Sequence, residues 1–212
     1  MEKVNSMGLK SEDLEDQSKY RQLLAISYNE LIDFILDYLR RRSGLMIFFW
    51  SVCLIFLGIA LFVRINISGY FPLKNIMLHS MLGFIVFPLL SIPLHEGLHI
   101  IPFLMTGARK IRVGMDLRQY IFYVTAHRHV VNAREFRFVA LVPFVTVTIA
   151  LFTLVLFLPG LWKWSLSLFL FVHTTMCAGD FALLNFLLLN RRKKIYTWDD
   201  ADEKMAYFYE EI

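Results

Sequence analysis

Asn75 to Leu104 reads NIMLHSMLGFIVFPLLSIPLHEGLHIIPFL, thirty residues in which Glu96 is the one side chain of fixed charge. A helix rising 1.5 Å per residue needs about 20 residues to cross ~30 Å of hydrocarbon, so this run is long enough to cross and continue. Pro88 and Pro93 remove backbone donors just before the polar block His95-Glu96-Gly97-Leu98-His99. They are expected to bend or break the helix there, opening a water path toward that block.

Three further apolar runs flank it: Leu45 to Val63, Phe136 to Leu158 and Trp162 to Asn190. With 57% hydrophobic residues, 20 Phe and a mean hydropathy of +0.53, the chain exceeds what a soluble surface tolerates. A soluble enzyme, a disordered chain and a disulfide scaffold are thereby excluded, the two cysteines (Cys53, Cys177) lying inside apolar runs. Fourteen of the 18 acids lie in residues 1–42 or 191–212, which leaves Glu96, Asp116, Glu135 and Asp180 to be explained singly. The first apolar run begins behind 44 mostly polar residues, too late for a cleavable signal peptide.

The expected fold is mainly α: four transmembrane helices at about 45–63, 75–104, 136–158 and 162–190, forming a membrane core over 45–190. Summed alternately along the chain, one side of the membrane carries 19 of the 22 basic residues. Positive-inside bias therefore puts both termini and the Met105–Glu135 connection in the cytoplasm. The excess of positive charge thus encodes topology, and nucleic acid is not an expected partner. Within the cytoplasmic region 1–44, Arg21 to Arg40 sets Gln22, Asn29, Glu30, Asp33, Asp37 and Arg40 against Leu23, Leu24, Leu31, Phe34, Ile35 and Leu39. That pattern predicts an amphipathic helix lying on the lipid bilayer surface. Residues 191–212 open with RRKK and read as an acidic tail without visible chemistry.

HExxH on a helix projects His95 and His99 from one face, one turn apart, so that both imidazoles can reach a single zinc ion. Glu96 lies about 100° around the helix from His95 and can stand beside the metal without ligating it, as a general base for its water requires. An ionisable trio inside an apolar run costs several kcal/mol on insertion, of order ~3 per charge, unless a metal or polar cavity compensates it.

Catalytic zinc sites usually have three protein ligands. Glu135 belongs to Asn132-Ala-Arg-Glu135, which reads as a capping box, and Asp116 lies in a strand-like run. Asp180 is thus the acid without a structural role. Counted from the ends of their spans, His95, His99 and Asp180 sit roughly 14, 8 and 15 Å from the cytoplasmic boundary at helical rise, in one layer. Gly97 and Gly179 would let the two helices approach closely. His173, two turns before Asp180, is an alternative ligand or a partner of one. His79 is too near the outer end to take part, and His127 and His129 read as solvated loop residues.

From Ile111 to Arg118 apolar and polar residues alternate, and Gln119 to Ala126 is aromatic and β-branched. A β-hairpin over about 110–128 follows, with an edge to which an extended peptide can add as a strand.

This ordered set resembles the zincin peptidase family of prokaryotic membrane proteins: HEGLH in a span, a basic strand with Gly114, a second strand with Tyr123, the Asn132-Ala-Arg-Glu-Phe entry to a span carrying Pro143, and Ala178-Gly-Asp180. Members are related in motif layout to site-2 proteases. The resemblance runs from about Ile92 to Phe186. It implies His95 and His99 as paired ligands of Zn2+, Glu96 as catalytic base and Asp180 as the acidic ligand from a later helix, with Gly114 and Tyr123 near substrate. Site-2 proteases usually carry an Asn-Pro stretch and a Leu-Asp-Gly order; here the order is Gly-Asp and the Asn-Pro element is absent.

The expected activity is hydrolysis of a membrane protein or peptide near the cytoplasmic face of a prokaryotic inner membrane. The principal alternative is a non-proteolytic metal-binding or sensing protein built on the same residues. A haem bundle using His173, and a scaffold with a degenerate site, are further alternatives.

Overall fold

The computed structural model describes residues 8–116 and 121–212. Leu117 to Tyr120, assigned above to the hairpin, lie outside the described residues. The chain is mainly helical with a small antiparallel sheet. Its helices are α1 (Leu31–Arg40), α2 (Gly44–Asn66), α3 (Leu73–Met81), α4 (Phe87–Met105), α5 (Ala133–Phe157), α6 (Gly160–Met176) and α7 (Ala178–Leu189). Its strands are β1 (Tyr20–Ser27), β2 (Ile111–Asp116), β3 (Ile121–Ala126), β4 (Val131–Asn132), β5 (Ile195–Asp200) and β6 (Met205–Glu211).

Three helical stretches are long and apolar enough to cross a membrane, Gly44–Asn66, Leu73–Met105 and Ala133–Phe157, and the bent pair α6 and α7 makes a fourth if it is one span. α6 packs against α2, α3 and α5. Phe56, Val147, Leu151, Val155, Leu166, Phe169 and Leu170 form a core among them. The opposite faces stay apolar and exposed, for example Ile47, Leu54, Ile55, Phe62 and Ile65 on α2. An apolar belt of that extent is what lipid, and not water, would cover.

At Pro88 and Pro93, where a bend or a break is expected, the helix is distorted but not broken. α3 runs into α4 through one π turn, Leu82–Val86, and Pro93 and Pro102 sit inside α4. The widened turn lies where the ring of Pro88 would otherwise crowd the carbonyl four residues back. At Gly83, within that turn, an added Cβ would lie 2.2 Å from the Ser165 carbonyl oxygen of α6, so a side chain is excluded there. The helix expected over Trp162 to Asn190 is instead bent by 42° at Cys177, whose N–H is shared between the carbonyls of His173 and Thr174 at 3.3 Å each.

The amphipathic helix is shorter than expected. Arg21 to Ser27 belongs to β1, which pairs with β6 from Tyr20↔Glu211 to Ser27↔Met205. Seven residues carry too few turns to hold a helical stripe against a distant strand offering a full ladder of hydrogen bonds. The helix proper begins after Ser27, whose Oγ accepts from the Asn29 N–H. α1 docks on α7, where buried Asn185 donates to the carbonyls of Tyr38 (2.7 Å) and Arg41 (3.1 Å). Those are last-turn carbonyls that the helix itself leaves unpaired.

The acidic tail is likewise structured, as the β5–β6 hairpin. Its sheet has the order β1-β6-β5-β4 and joins residues from before α2, from the α4–α5 connection and from after α7. Its last two acids are paired: Glu210 with Arg21 and Lys193, and Glu211 with Lys194. β2 and β3 form the separate two-stranded hairpin, in register from Ile111↔Ala126 to Asp116↔Ile121.

Candidate metal centre

His95 and His99 face the same side of α4 and are both more than nine-tenths buried. The 42° bend at Cys177 precedes Asp180, on the first turn of α7, which meets them. His95 Nε2 lies 3.3 Å from Asp180 Oδ2, and His99 Nε2 lies 3.7 Å from Asp180 Oδ1. The three ligand atoms fall within 4.8 Å of one another. His99 Nδ1 lies 3.0 Å from the Val139 carbonyl, which only a protonated nitrogen can satisfy. That fixes the tautomer and leaves Nε2 bare toward Asp180.

His95 Nδ1 and Asp180 Oδ2 are buried with no hydrogen-bond partner among the described residues. A buried, unpartnered carboxylate oxygen facing two imidazole nitrogens suits a shared cation. Two imidazoles and a carboxylate are a borderline donor set of the kind zinc takes. The residues present therefore fit zinc.

The other residues singled out from the sequence separate into near and far. Glu96 lines the same cavity as His95, His99 and Asp180, and the backbone N–H of Val124 on β3 faces its carboxylate. His173 is fully buried with its ring 5.6 Å from that of His95, its Nε2 being 3.9 Å from Cys177 Sγ. His95, His173 and Cys177 form a second grouping of possible metal ligands. Tyr123 lines the cavity; Gly114 does not. Gly114 stands opposite Tyr123 in the hairpin, and a Cβ there would lie 2.3 Å from the phenol ring. The glycine leaves the space across which that ring lies.

The two glycines expected to bring the helices together do not do so. Gly97 has open space where a Cβ would stand, and Gly179 faces Ile35 of α1 at 3.4 Å. Glu135 closes a capping box with Asn132 at the start of α5. His79 bonds Ser165, at 2.7 Å, away from the cavity. His127 and His129 are half-buried and bonded, not solvated: His127 Nδ1 accepts from the Ala201 N–H, and His129 Nε2 pairs with Thr106 Oγ1. His127, Asp200 and Asp202 form a third grouping. Asp200 is already occupied there by Arg128 and by the N–H groups of Asp202 and Glu203, the pattern of a capped turn.

A cavity of about 350 Å³ opens from the His95–Asp180 cluster and runs between α1, β3 and the four-stranded sheet. Its walls are mostly apolar, including Ile32, Ile35, Phe103, Phe136 and Leu183. Its far end is polar: Thr125 Oγ1 donates to Asp199 Oδ2 at 2.6 Å, and the Tyr28 phenol meets Thr125 and packs edge-on to Tyr123. Tyr28, Thr125 and Asp199 were not legible as site residues in the sequence. Three segments distant along the chain carry them: the β1–β6–β5 pairings bring Tyr28 near Asp199, and the Thr125 hydroxyl reaches Asp199 from the separate β2–β3 hairpin.

Among known proteins, the family model described as "Putative zincin peptidase" matches residues 88–196, just over half of the chain. No curated protein and no solved structure matches.

Proposed function

The chain belongs to the zincin peptidase family, and from that premise we propose that it is an intramembrane zinc metalloendopeptidase of the HExxH type, related in layout to site-2 proteases and set in a prokaryotic inner membrane. The observation that carries this reading is the meeting of His95, His99 and Asp180 beside Glu96 at one end of an apolar cavity.

His95, His99 and Asp180 would hold the zinc ion, the number of protein ligands that catalytic sites use. When bound, zinc supplies Lewis acidity, which polarises a carbonyl and acidifies water. Glu96 takes the proton as the water oxygen bonds to the carbonyl carbon, and returns it to the amine nitrogen as the C–N bond breaks. The Val124 N–H steadies the Glu96 carboxylate, and the Val139 carbonyl keeps His99 in its working tautomer. Apolar walls exclude bulk water, which strengthens these electrostatic effects. The hairpin beside the cavity offers a peptide an extended backbone to lie against, with Tyr123 next to it.

Four crossings are supported by the sheet. It gathers strands from before α2, from between α4 and α5, and from after α7, which all lie on one side only if each intervening pair of spans returns the chain. The bent pair α6 and α7 then counts as one crossing. The distribution of Lys and Arg puts that side, with both termini, in the cytoplasm.

The test is cleavage of a membrane-spanning peptide by zinc-loaded, full-length protein in proteoliposomes. Wild type cleaves, and Glu96→Gln retains zinc while losing at least about 100-fold in rate. Undiminished cleavage by Glu96→Gln, or none by wild type across a library of spans, contradicts the reading.

A second reading rests on the neighbouring His95–His173–Cys177 grouping. Those side chains could close the coordination and give a metal-binding or sensing protein without turnover. A zinc absorption-edge spectrum with sulfur in the coordination shell would favour it.

A further inference from the structure

The far end of the cavity holds a carboxylate that the proposed chemistry does not use. Asp199 lines the cavity from β5, and its Oδ2 is taken by the Thr125 hydroxyl. Among the described residues no Lys or Arg lines the cavity, and none pairs with Asp199. The other acids there have tasks already, Glu96 as base and Asp180 as ligand. An ionised carboxylate turned into an apolar cavity without a counter-charge is costly unless something cationic joins it.

Its position relative to the chemistry follows from β3. Val124 and Thr125 are consecutive: the N–H of the first faces Glu96, and the hydroxyl of the second holds Asp199. The two residues are one strand rise of ~3.3 Å apart, which, with a side chain's reach on either side, brings the two carboxylates to within on the order of 10 Å of each other. A lysine or arginine side chain flanking the scissile bond spans such a gap. The Tyr28–Tyr123 pair and Phe122 supply aromatic surface along the way, suited to its methylenes and its charge.

We propose that Asp199, held by Thr125, makes this end of the cavity a subsite for a cationic side chain, so that the enzyme selects peptides carrying Lys or Arg close to the bond it cuts. The inference deepens the proteolytic reading and rests on it. It also agrees with the proposed orientation, because membrane segments carry Lys and Arg where they emerge into the cytoplasm. Its substrate class is therefore a membrane segment cut near its basic cytoplasmic flank.

The probes are leucine-rich peptides identical except for Lys or norleucine at one position, scanned over three residues on either side of the centre. Binding is measured to zinc-loaded, full-length Glu96→Gln protein in uncharged phosphatidylcholine nanodiscs. At one position the Lys peptide binds about 10-fold tighter or more. The difference vanishes when Asp199→Asn is added and persists with Asp199→Glu, which separates loss of charge from loss of fold. Equal binding of both peptides at every position, or a preference that survives Asp199→Asn, overturns the subsite. Wild-type turnover then distinguishes the two claims. Lys-selective binding without cleavage overturns the protease reading and supports the subsite; cleavage without Lys selectivity overturns the subsite alone.

Discussion

At the scale of single residues, the centre depends on local spacing and on one long-range meeting. His95, Glu96 and His99 share a helical turn, so their relation is legible from five letters of sequence. Asp180 was reachable by elimination, because an acid inside an apolar run without a cap or a strand to explain it is rare. Asp199 was not reachable in that way: it stands among six acids in the last 22 residues, and the Thr125 contact that sets it apart spans 74 positions. Burial pushes the Asp199 carboxyl up to about 6, against the lowering effect of the Thr125 hydroxyl. The folded chain thus favours the neutral form, and that stabilisation, complete below about pH 4, is lost as pH rises through 6. Asp199→Asn escapes the loss. Its thermal stability relative to wild type should rise from pH 4.5 to pH 7.5 by on the order of 1–3 kcal/mol, read from unfolding in detergent. A difference independent of pH would mean that Asp199 is not buried as described.

At the scale of elements, apolar length marked the helices, and their irregularities went unread. Prolines mark α4 for a bend or a break, and a π turn absorbs Pro88 without breaking the helix; nothing in Cys177-Ala-Gly-Asp180 announces the 42° bend that aims Asp180. Where the signal was a local capping pattern it could be read directly. Asn132 Oδ1 accepts from the N–H groups of Arg134 and Glu135, while Glu135 Oε2 accepts from the Asn132 N–H. Asn132→Ala should cost about 1 kcal/mol and increase hydrogen exchange in the first turn of α5, leaving the zinc content unchanged. β1 shows the opposite case. Its residues suit either a helix face or a strand, and β6, 178 to 191 positions away, decides between them.

At the scale of the whole molecule, the sheet is the part that composition hid. Two regions that read as a surface helix and an acidic tail pair with each other, and β1, α1 and β5 line the cavity beside the candidate metal centre. The same pairing constrains topology. Single cysteines introduced at Glu12, Arg112 and Glu203 should react with a membrane-impermeant maleimide from the cytoplasmic side only, and one at Gly69 from the opposite side only. The native Cys53 and Cys177 are buried and should stay silent. Labelling of Glu12 and Glu203 positions from different sides would be incompatible with the β1–β6 pairing.

The central claim is that His95, His99 and Asp180 hold one zinc ion, and it is tested most directly by metal analysis of full-length protein purified without chelator. The account predicts about one zinc per chain in wild type and in Glu96→Gln, falling to background in His95→Ala, His99→Ala and Asp180→Ala. Wild-type protein without zinc, or zinc retained when all three side chains are removed, would contradict it.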